Sequence, residues 1–280
     1  MAGRRRSPLI LRAVINIFIP LGGVFFILPY AWMISASFKT SQQILRPATL
    51  LPTRLYLGNY VALVQRWPFV NWVVNSLFVA AATTLLVTIF CSMAGFAFSK
   101  YRFRGNTFLF AVLLTSAMIP FPILVIPLFV LVSNMGWTNS LSALVIPFIA
   151  PAFGIFLMRQ YMEYVPSELL DSGRIDGASE LRIFAQIVLP MVIPGLTTLG
   201  IITFINSWNN FLWPLVVMRR EQFMTFPVGV ANMLTGVSAG TALPYGPAMA
   251  AATVISIPTI AAFLFLQRYY ITGIASGAIK

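Results

Sequence analysis

The chain has 280 residues, of which 59% are hydrophobic and only 9% charged, against roughly 25% charged in an ordinary soluble domain. Eighteen basic and six acidic residues cannot cover a soluble surface of this size, so lipid must solvate much of the chain. The net charge of +12 sits at the edges of long apolar runs, which points to membrane topology rather than to nucleic acid. With no histidine and a single cysteine, Cys91, there is no disulfide framework, Cys/His metal site or histidine-based triad to build.

Charge-free runs cover Ala13–Phe38, Trp67–Ser99, Gly105–Met158, Ile183–Met218 and Gln222–Gln267. A spanning helix needs about 20 apolar residues. Arg4-Arg5-Arg6 ahead of the first run resembles the start of a signal peptide. That run is 26 residues long, beyond the usual 7–15, and no small-residue cleavage site follows. It is a first helix, with residues 1–12 as a cytoplasmic N-terminal segment. The third run is broken at Ser133-Asn134-Met135-Gly136-Trp137-Thr138-Asn139-Ser140 and so holds two helices. The last run offers one span only after a Gly/Pro/Thr-rich section, near Pro247–Gln267. Six spans result. One side then carries 12 basic residues and the other six, which places both termini in the cytoplasm. Tryptophans 32, 67, 72, 137 and 213 fall near span ends, as interfacial anchors or as ordinary packing residues.

No proposed span holds an Asp, Glu, Lys or Arg. Ion-coupled carriers and intramembrane hydrolases usually need ionisable groups there. None of the three lysines (Lys39, Lys100, Lys280) stands in a phosphate-binding loop. Energy for uphill transport would have to come from another chain. A stand-alone carrier or channel for a small polar solute is the competing function.

Five of the six acids lie between Glu163 and Glu180. Pro166-Ser167-Glu168 reads as a helix start, with Leu169, Leu170 and Ile175 as apolar positions and Gly177 as the stop. Ser179-Glu180 opens a second helix running to Leu189-Pro190. Two short helices around a glycine make a knob suited to a groove on a partner.

The stretch Pro166 to Ser179, followed by Ile187-Val188-Leu189-Pro190, resembles the EAA loop of ABC importer permeases. Gly177 through Pro190 fits that motif throughout. Asp171-Ser172-Gly173 stands where Glu-Ala-Ala is usual, and the glycine there should weaken the helix by about 0.8–1.0 kcal/mol relative to Ala. Asn75-Ser76-Leu77, Lys100 to Gly105, Ile119-Pro120, Gly136 to Ser140, Trp208 to Phe211 and Thr225 to Gly229 extend the resemblance. It points to the carbohydrate-uptake branch, similar to the second permease of maltose-type importers. Many relatives carry an acid where Asn210 stands.

The resemblance implies an all-α integral membrane protein of six transmembrane helices with the type I ABC importer permease fold. Residues 13–280 would form the permease domain, with the coupling loop at about 163–190. Glu168, Asp171, Ser172, Gly173, Asp176, Gly177, Ile187, Leu189 and Pro190 would then couple the chain to the ATPases. The implied partners are a second permease, two ATPase subunits that bind ATP and Mg, and an extracytoplasmic solute-binding protein or lipoprotein. This chain would bind no cofactor itself. Its place would be the plasma or inner membrane of a bacterial or archaeal cell.

Thr203, Asn206, Asn210 and Trp213 recur at steps of three and four, with Asn209 beside them, on one face of the fifth helix. That face either hydrogen-bonds between helices or lines a path for a polyhydroxylated solute. Thr235, Gly236, Ser238, Gly240 and Thr241 lie in the last external loop. It is a flexible linker or, by the resemblance, the loop that probes the binding protein's cleft.

Overall fold

A computed structural model describes residues 9–45, 49–235 and 244–277, with side chains described over 16–45, 49–235, 244–261 and 264. Fifteen α-helical segments and no strand occur among the described residues. They are α1 (Leu9–Ser37), α2 (Ser41–Ile44), α3 (Gly58–Arg66), α4 (Phe69–Lys100), α5 (Asn106–Ser116), α6 (Phe121–Asn134), α7 (Leu141–Val145) and α8 (Ala152–Glu163). There follow α9 (Ser167–Ile175), α10 (Glu180–Ile183), α11 (Leu189–Met191), α12 (Ile193–Trp208), α13 (Leu212–Val217), α14 (Phe226–Thr235) and α15 (Tyr245–Gly277).

Two of the expected spans are continuous: Asn16–Ser37 within α1, and α4. At 32 residues, α4 is about 48 Å long, longer than a bilayer's hydrocarbon core of about 30 Å. Three further helix pairs are long and apolar enough only when taken together, each as a broken span or a re-entrant loop: α5 with α6 bent by 99°, α7 with α8 by 46°, and α10–α11 with α12 by 82°. Each bend lies beside a proline: Pro120, Pro151 and Pro194. A proline lacks the N–H that would continue the helical ladder and disfavours helical backbone in the residue before it. The residues 184–188 between α10 and α11 form a π-helical turn. The expected break at 133–140 is present: Gly136 (φ +69°) and Asn139 (φ +59°) are left-handed, and the Asn139 side chain accepts the Arg219 and Arg220 N–H groups at 2.7 and 2.9 Å.

The chain divides into two compact units. The smaller comprises residues 1–67 and 230–256. Thr40 caps α2 reciprocally with Gln43, and the buried Asn59 amide donates to the Ser37 and Lys39 carbonyls at 2.8 and 2.7 Å. Phe18, Phe25 and Phe26 of α1 are exposed, the inverse of a water-soluble helix.

The larger unit comprises residues 68–229 and 257–280. Its core joins Val87, Cys91 and Phe96 of α4, Ile155, Met158 and Met162 of α8, Leu170 of α9, Ile183 of α10, and Leu199 of α12. Glycines permit the close crossings. A Cβ on Gly95 would stand 2.8 Å from both the Arg159 nitrogen and Met158 Cβ, and one on Gly154 2.8 Å from Cys91 Sγ. The α8 helix runs past Met158, where the charge-free run ends, to Glu163. Its Arg159 guanidinium lies 4.0 Å from the Phe110 ring centroid, a cation–π contact that accommodates charge on an apolar bundle. Lys100 donates to the Val165 and Glu163 carbonyls at 2.5 and 3.4 Å, placing positive charge at the C-terminal end of α8.

Trp72 and Trp213 are not interfacial anchors; both are fully buried. The Trp72 indole donates to the Glu221 carbonyl at 2.7 Å, while Asn75 donates to the Gln222 and Met224 carbonyls and Ser76 accepts the Phe226 N–H. One face of α4 thereby holds the 221–226 segment.

Gly95→Val should lower the thermal unfolding midpoint of the purified protein, because overpacking against backbone costs roughly 1–3 kcal/mol. Gly22→Ala in α1, whose added Cβ meets nothing within 4 Å, should cause no such loss. An unchanged midpoint for Gly95→Val would mean that α4 and α8 do not pack this closely.

Candidate functional site

The helix α9 starts after Pro166, which stands at the cap position just ahead of the first turn, with Glu168 in that turn. It ends in a Schellman motif: the Ala178 N–H donates to the Gly173 carbonyl at 2.9 Å and the Gly177 N–H to the Arg174 carbonyl at 3.1 Å. Gly177 has φ +77°, the left-handed value this ending needs. The helix seats Leu170 in the core at 2% exposure and lays Gly173 on α10 and the π-turn. A Cβ there would stand 3.0 Å from Ile187 Cδ1 and 3.2 Å from Ile183 Cγ1. Gly173 is therefore not simply a weak point in the helix, since its missing side chain lets α9 approach Ile183 and Ile187. Ile187 and Leu189 pack on the same core. Glu168, Asp171, Ser172, Asp176, Gly177 and Pro190 are exposed, as are Tyr164 (82%), Leu169 (41%), Ile175 (86%) and Leu181 (68%).

A clasp absent from the sequence reading ties α9 in place. Arg174 Nη1 donates to Asp171 Oδ1 at 2.8 Å, and its Nε and Nη2 donate to the two Glu180 oxygens at 2.7 and 3.3 Å. The Tyr101 hydroxyl donates to Glu180 Oε2, joining the end of α4 to the same carboxylate. The Arg174 hydrogen bonds, then that of Tyr101, hold the Glu180 carboxyl below its ordinary range. Burial first, and the bond to Glu180 second, push the Tyr101 phenol up. Asp171 and Arg174 stand at i,i+3, a spacing visible in the sequence; the Glu180 and Tyr101 partners depend on how the chain turns.

A second feature is an uncharged cavity of about 230 Å³ between α4, α7, the start of α8 and α12. Thr203, Asn206 and Asn210 line it, together with Thr83, Phe148, Phe153 and Ser207. Asn209 and Trp213 do not. The Asn209 amide turns back to the Ile205 carbonyl at 2.8 Å. Trp213 is buried, donating to the Ala143 carbonyl at 2.9 Å and meeting the Phe148 and Phe121 rings edge-on at centroid separations of 6.1 and 6.3 Å. Helical spacing from Asn206 to Trp213 fails because α12 stops at Trp208 and α13 starts afresh at Leu212. Thr83 and Phe148 were not expected; nothing in an apolar run marks one threonine or one phenylalanine. Of the outer-loop residues, Thr235 ends α14 with its hydroxyl on the Ala231 and Asn232 carbonyls. Gly236, Ser238, Gly240 and Thr241 lie outside the described residues.

Bent spans around an uncharged cavity, with a polar helix seated at one end of the core, describe a membrane-embedded transport component. Residues 87–275 match the family described as "Binding-protein-dependent transport system inner membrane component", and the chain belongs to that family. It is 36% identical over 262 residues to the arabinooligosaccharides transport system permease protein AraQ of Halalkalibacterium halodurans, covering 91% of each chain. It is 32% identical over 279 residues to the lactose transport system permease protein LacG of Rhizobium radiobacter, covering 99% of this chain and 98% of that one. The fold matches a crystal structure of a bacterial ABC transporter involved in the import of the acidic polysaccharide alginate, with TM-score 0.85 at 21% identity, over 96% of this chain and 100% of that one. A stand-alone carrier is set aside, because a binding-protein-dependent system is by description one of several components.

The clasp has a pH signature. A carboxylate held below its ordinary range contributes stability at neutral pH and loses it as pH falls through the lowered value; Tyr101, pushed up, remains a donor above its usual range. A spin label at Leu169→Cys should therefore stay immobile from neutral to mildly alkaline pH and loosen on acidification below the ordinary carboxylate range. Glu180→Gln should loosen the label at neutral pH and flatten that response. Identical profiles with and without Glu180→Gln would show that the clasp does not restrain α9.

Proposed function

We propose that this chain is the permease subunit of an ATP-driven importer that carries a saccharide or saccharide derivative inward. A solute-binding protein or lipoprotein would deliver the solute, a second permease would complete the path, and two ATPase subunits would hold ATP and Mg. Both termini face the cytoplasm in this reading. The relatives' saccharide substrates and the uncharged cavity support a sugar, which needs no countercharge.

The observation that carries the coupling role is the two-sided build of α9. One side, Leu170 and Gly173, is seated on the span core; the other presents Leu169, Ile175 and the acids Glu168, Asp171 and Asp176. A push on the outer side is passed inward through packed side chains rather than through a loose loop. Glu168, Asp171, Ser172 and Asp176 meet the ATPase, whereas Gly173, Gly177, Ile187, Leu189 and Pro190 shape and seat the helix. Thr203, Asn206 and Asn210 line the path, and Thr235 to Thr241 face the binding protein.

Gly177→Val tests coupling. The added side chain meets nothing within 4 Å at its Cβ, so its effect is backbone strain of roughly 1–2 kcal/mol or more. Membrane insertion should persist while ATPase stimulation by loaded binding protein falls together with transport in the reconstituted complex. Gly136→Val imposes comparable left-handed strain in the 133–140 turn and should leave stimulation in place. Wild-type stimulation in Gly177→Val would withdraw the coupling assignment.

Asn206→Leu with Asn210→Leu tests the path. Transport should fall while assembly and basal ATPase activity persist. Lost assembly would show that the amides hold helices together instead.

A further inference from the structure

The cavity has a chemistry more specific than a polar lining. Thr83 of α4 is 5% exposed, and its Oγ1 has no hydrogen-bond partner. Helical threonines ordinarily bond the carbonyl four residues back, as Thr88 does to Thr84 at 2.7 Å and Thr253 to Met249 at 2.9 Å. Thr83 does not. A buried hydroxyl left unpaired costs roughly 1–3 kcal/mol, and this one lines the cavity. Asn206, which is exposed, and Asn210, which is half-buried, bring side-chain amides to the same lining.

Apart from Thr203 and Ser207, the rest of the wall is apolar. Phe148 lines the cavity and is braced by Trp213, which does not line it, and by Phe121 at 5.7 Å. Trp213 is itself fixed by its bond to the Ala143 carbonyl. Hydroxyl and amide groups facing an aromatic wall suit a ring with polar edges and apolar faces. The volume of about 230 Å³ lies below the 300–1,000 Å³ usual for drug-sized ligands, room for one ring rather than for an oligosaccharide. No residue of the lining is charged. An unpaired carboxylate or phosphate in such surroundings is far costlier than an unmet hydroxyl.

We propose that this cavity is a subsite of the chain itself for one neutral sugar ring, with Thr83, Asn206 and Asn210 bonding its hydroxyls and Phe148 meeting its apolar face. The assignment rests on the reading of the chain as a saccharide permease. It narrows the solute to uncharged saccharides: a longer chain passes ring by ring, and uronates and phosphorylated polyols are refused at this point.

The test uses the assembled importer carrying Thr83→Cys, labelled by a neutral maleimide. The native Cys91, fully buried, should not label and serves as the control. D-glucose, L-arabinose or lactose at saturating concentration should slow labelling, while D-glucuronate and glycerol 3-phosphate should not. In parallel, Thr83→Val should raise the solute concentration for half-maximal uptake roughly three- to tenfold, the loss of one hydrogen bond, and Thr83→Ser should restore it. Protection by D-glucuronate equal to that by neutral sugars would overturn the neutral-ring assignment. Failure of the Thr83→Cys thiol to label, or labelling unaffected by all three sugars, would show that this position is not open to solute and that the cavity is no subsite. Nucleotide-dependent uptake by the unvaried complex is read separately: uptake without protection removes the subsite alone, and no uptake removes the importer reading.

Discussion

The seating of α9 on the span core is the constraint from which the rest of the larger unit takes its meaning. Leu170 and Gly173 are buried against Ile183 and Ile187, and Leu170 shares one continuous cluster with Cys91, Met158 and Leu199 of three span helices. Burying one leucine is worth about 1.5–3 kcal/mol. Exposed ion pairs such as those of Arg174 contribute about 0–1 kcal/mol each. Apolar seating therefore holds α9 down, while the Arg174–Glu180–Tyr101 clasp sets its direction. In the coupling role we propose, a push on the exposed side would bear on packed helices, not on a hinge.

Irregular backbone appears where the cavity needs it. Pro151, at the α7–α8 bend, and Asn210, in the gap between α12 and α13, both line the cavity. In a bilayer, non-helical backbone is tolerated only where protein or a water-filled cavity surrounds it. Two of the breaks thus border the cavity, while most of its polar edge (Thr83, Thr203, Asn206 and Ser207) comes from within α4 and α12. Glycines serve the complementary need: Gly95 and Gly154 bring α4 and α8 into backbone contact, so the helices framing the cavity have little freedom to drift.

Charge is kept at the ends of this framework. Lys100 neutralises the end of α8, Arg159 rests on Phe110, and Asn139 orders the backbone of Arg219 and Arg220. The cavity is left with hydroxyls and amides, so the recognition we propose there would rest on hydrogen bonds and ring contact.

Composition and run length alone determined that the chain is a membrane protein of helices, because apolar length and charge spacing are one-dimensional quantities set by bilayer thickness. The knob at 166–190 was equally legible: Pro, Gly177 and the acids act through local backbone geometry and helix ends. The fifth-helix face was legible for Thr203, Asn206 and Asn210 but not for Trp213, since 3.6-residue spacing holds just while the helix continues, and α12 stops at Trp208. Only the tertiary structure decided that Trp213 braces a wall instead of lining a path, that Gly173 is a contact and not a weakness, and that Thr83 and Phe148 share a cavity with Asn206. Those facts depend on which residues distant in sequence meet, and no local pattern records that.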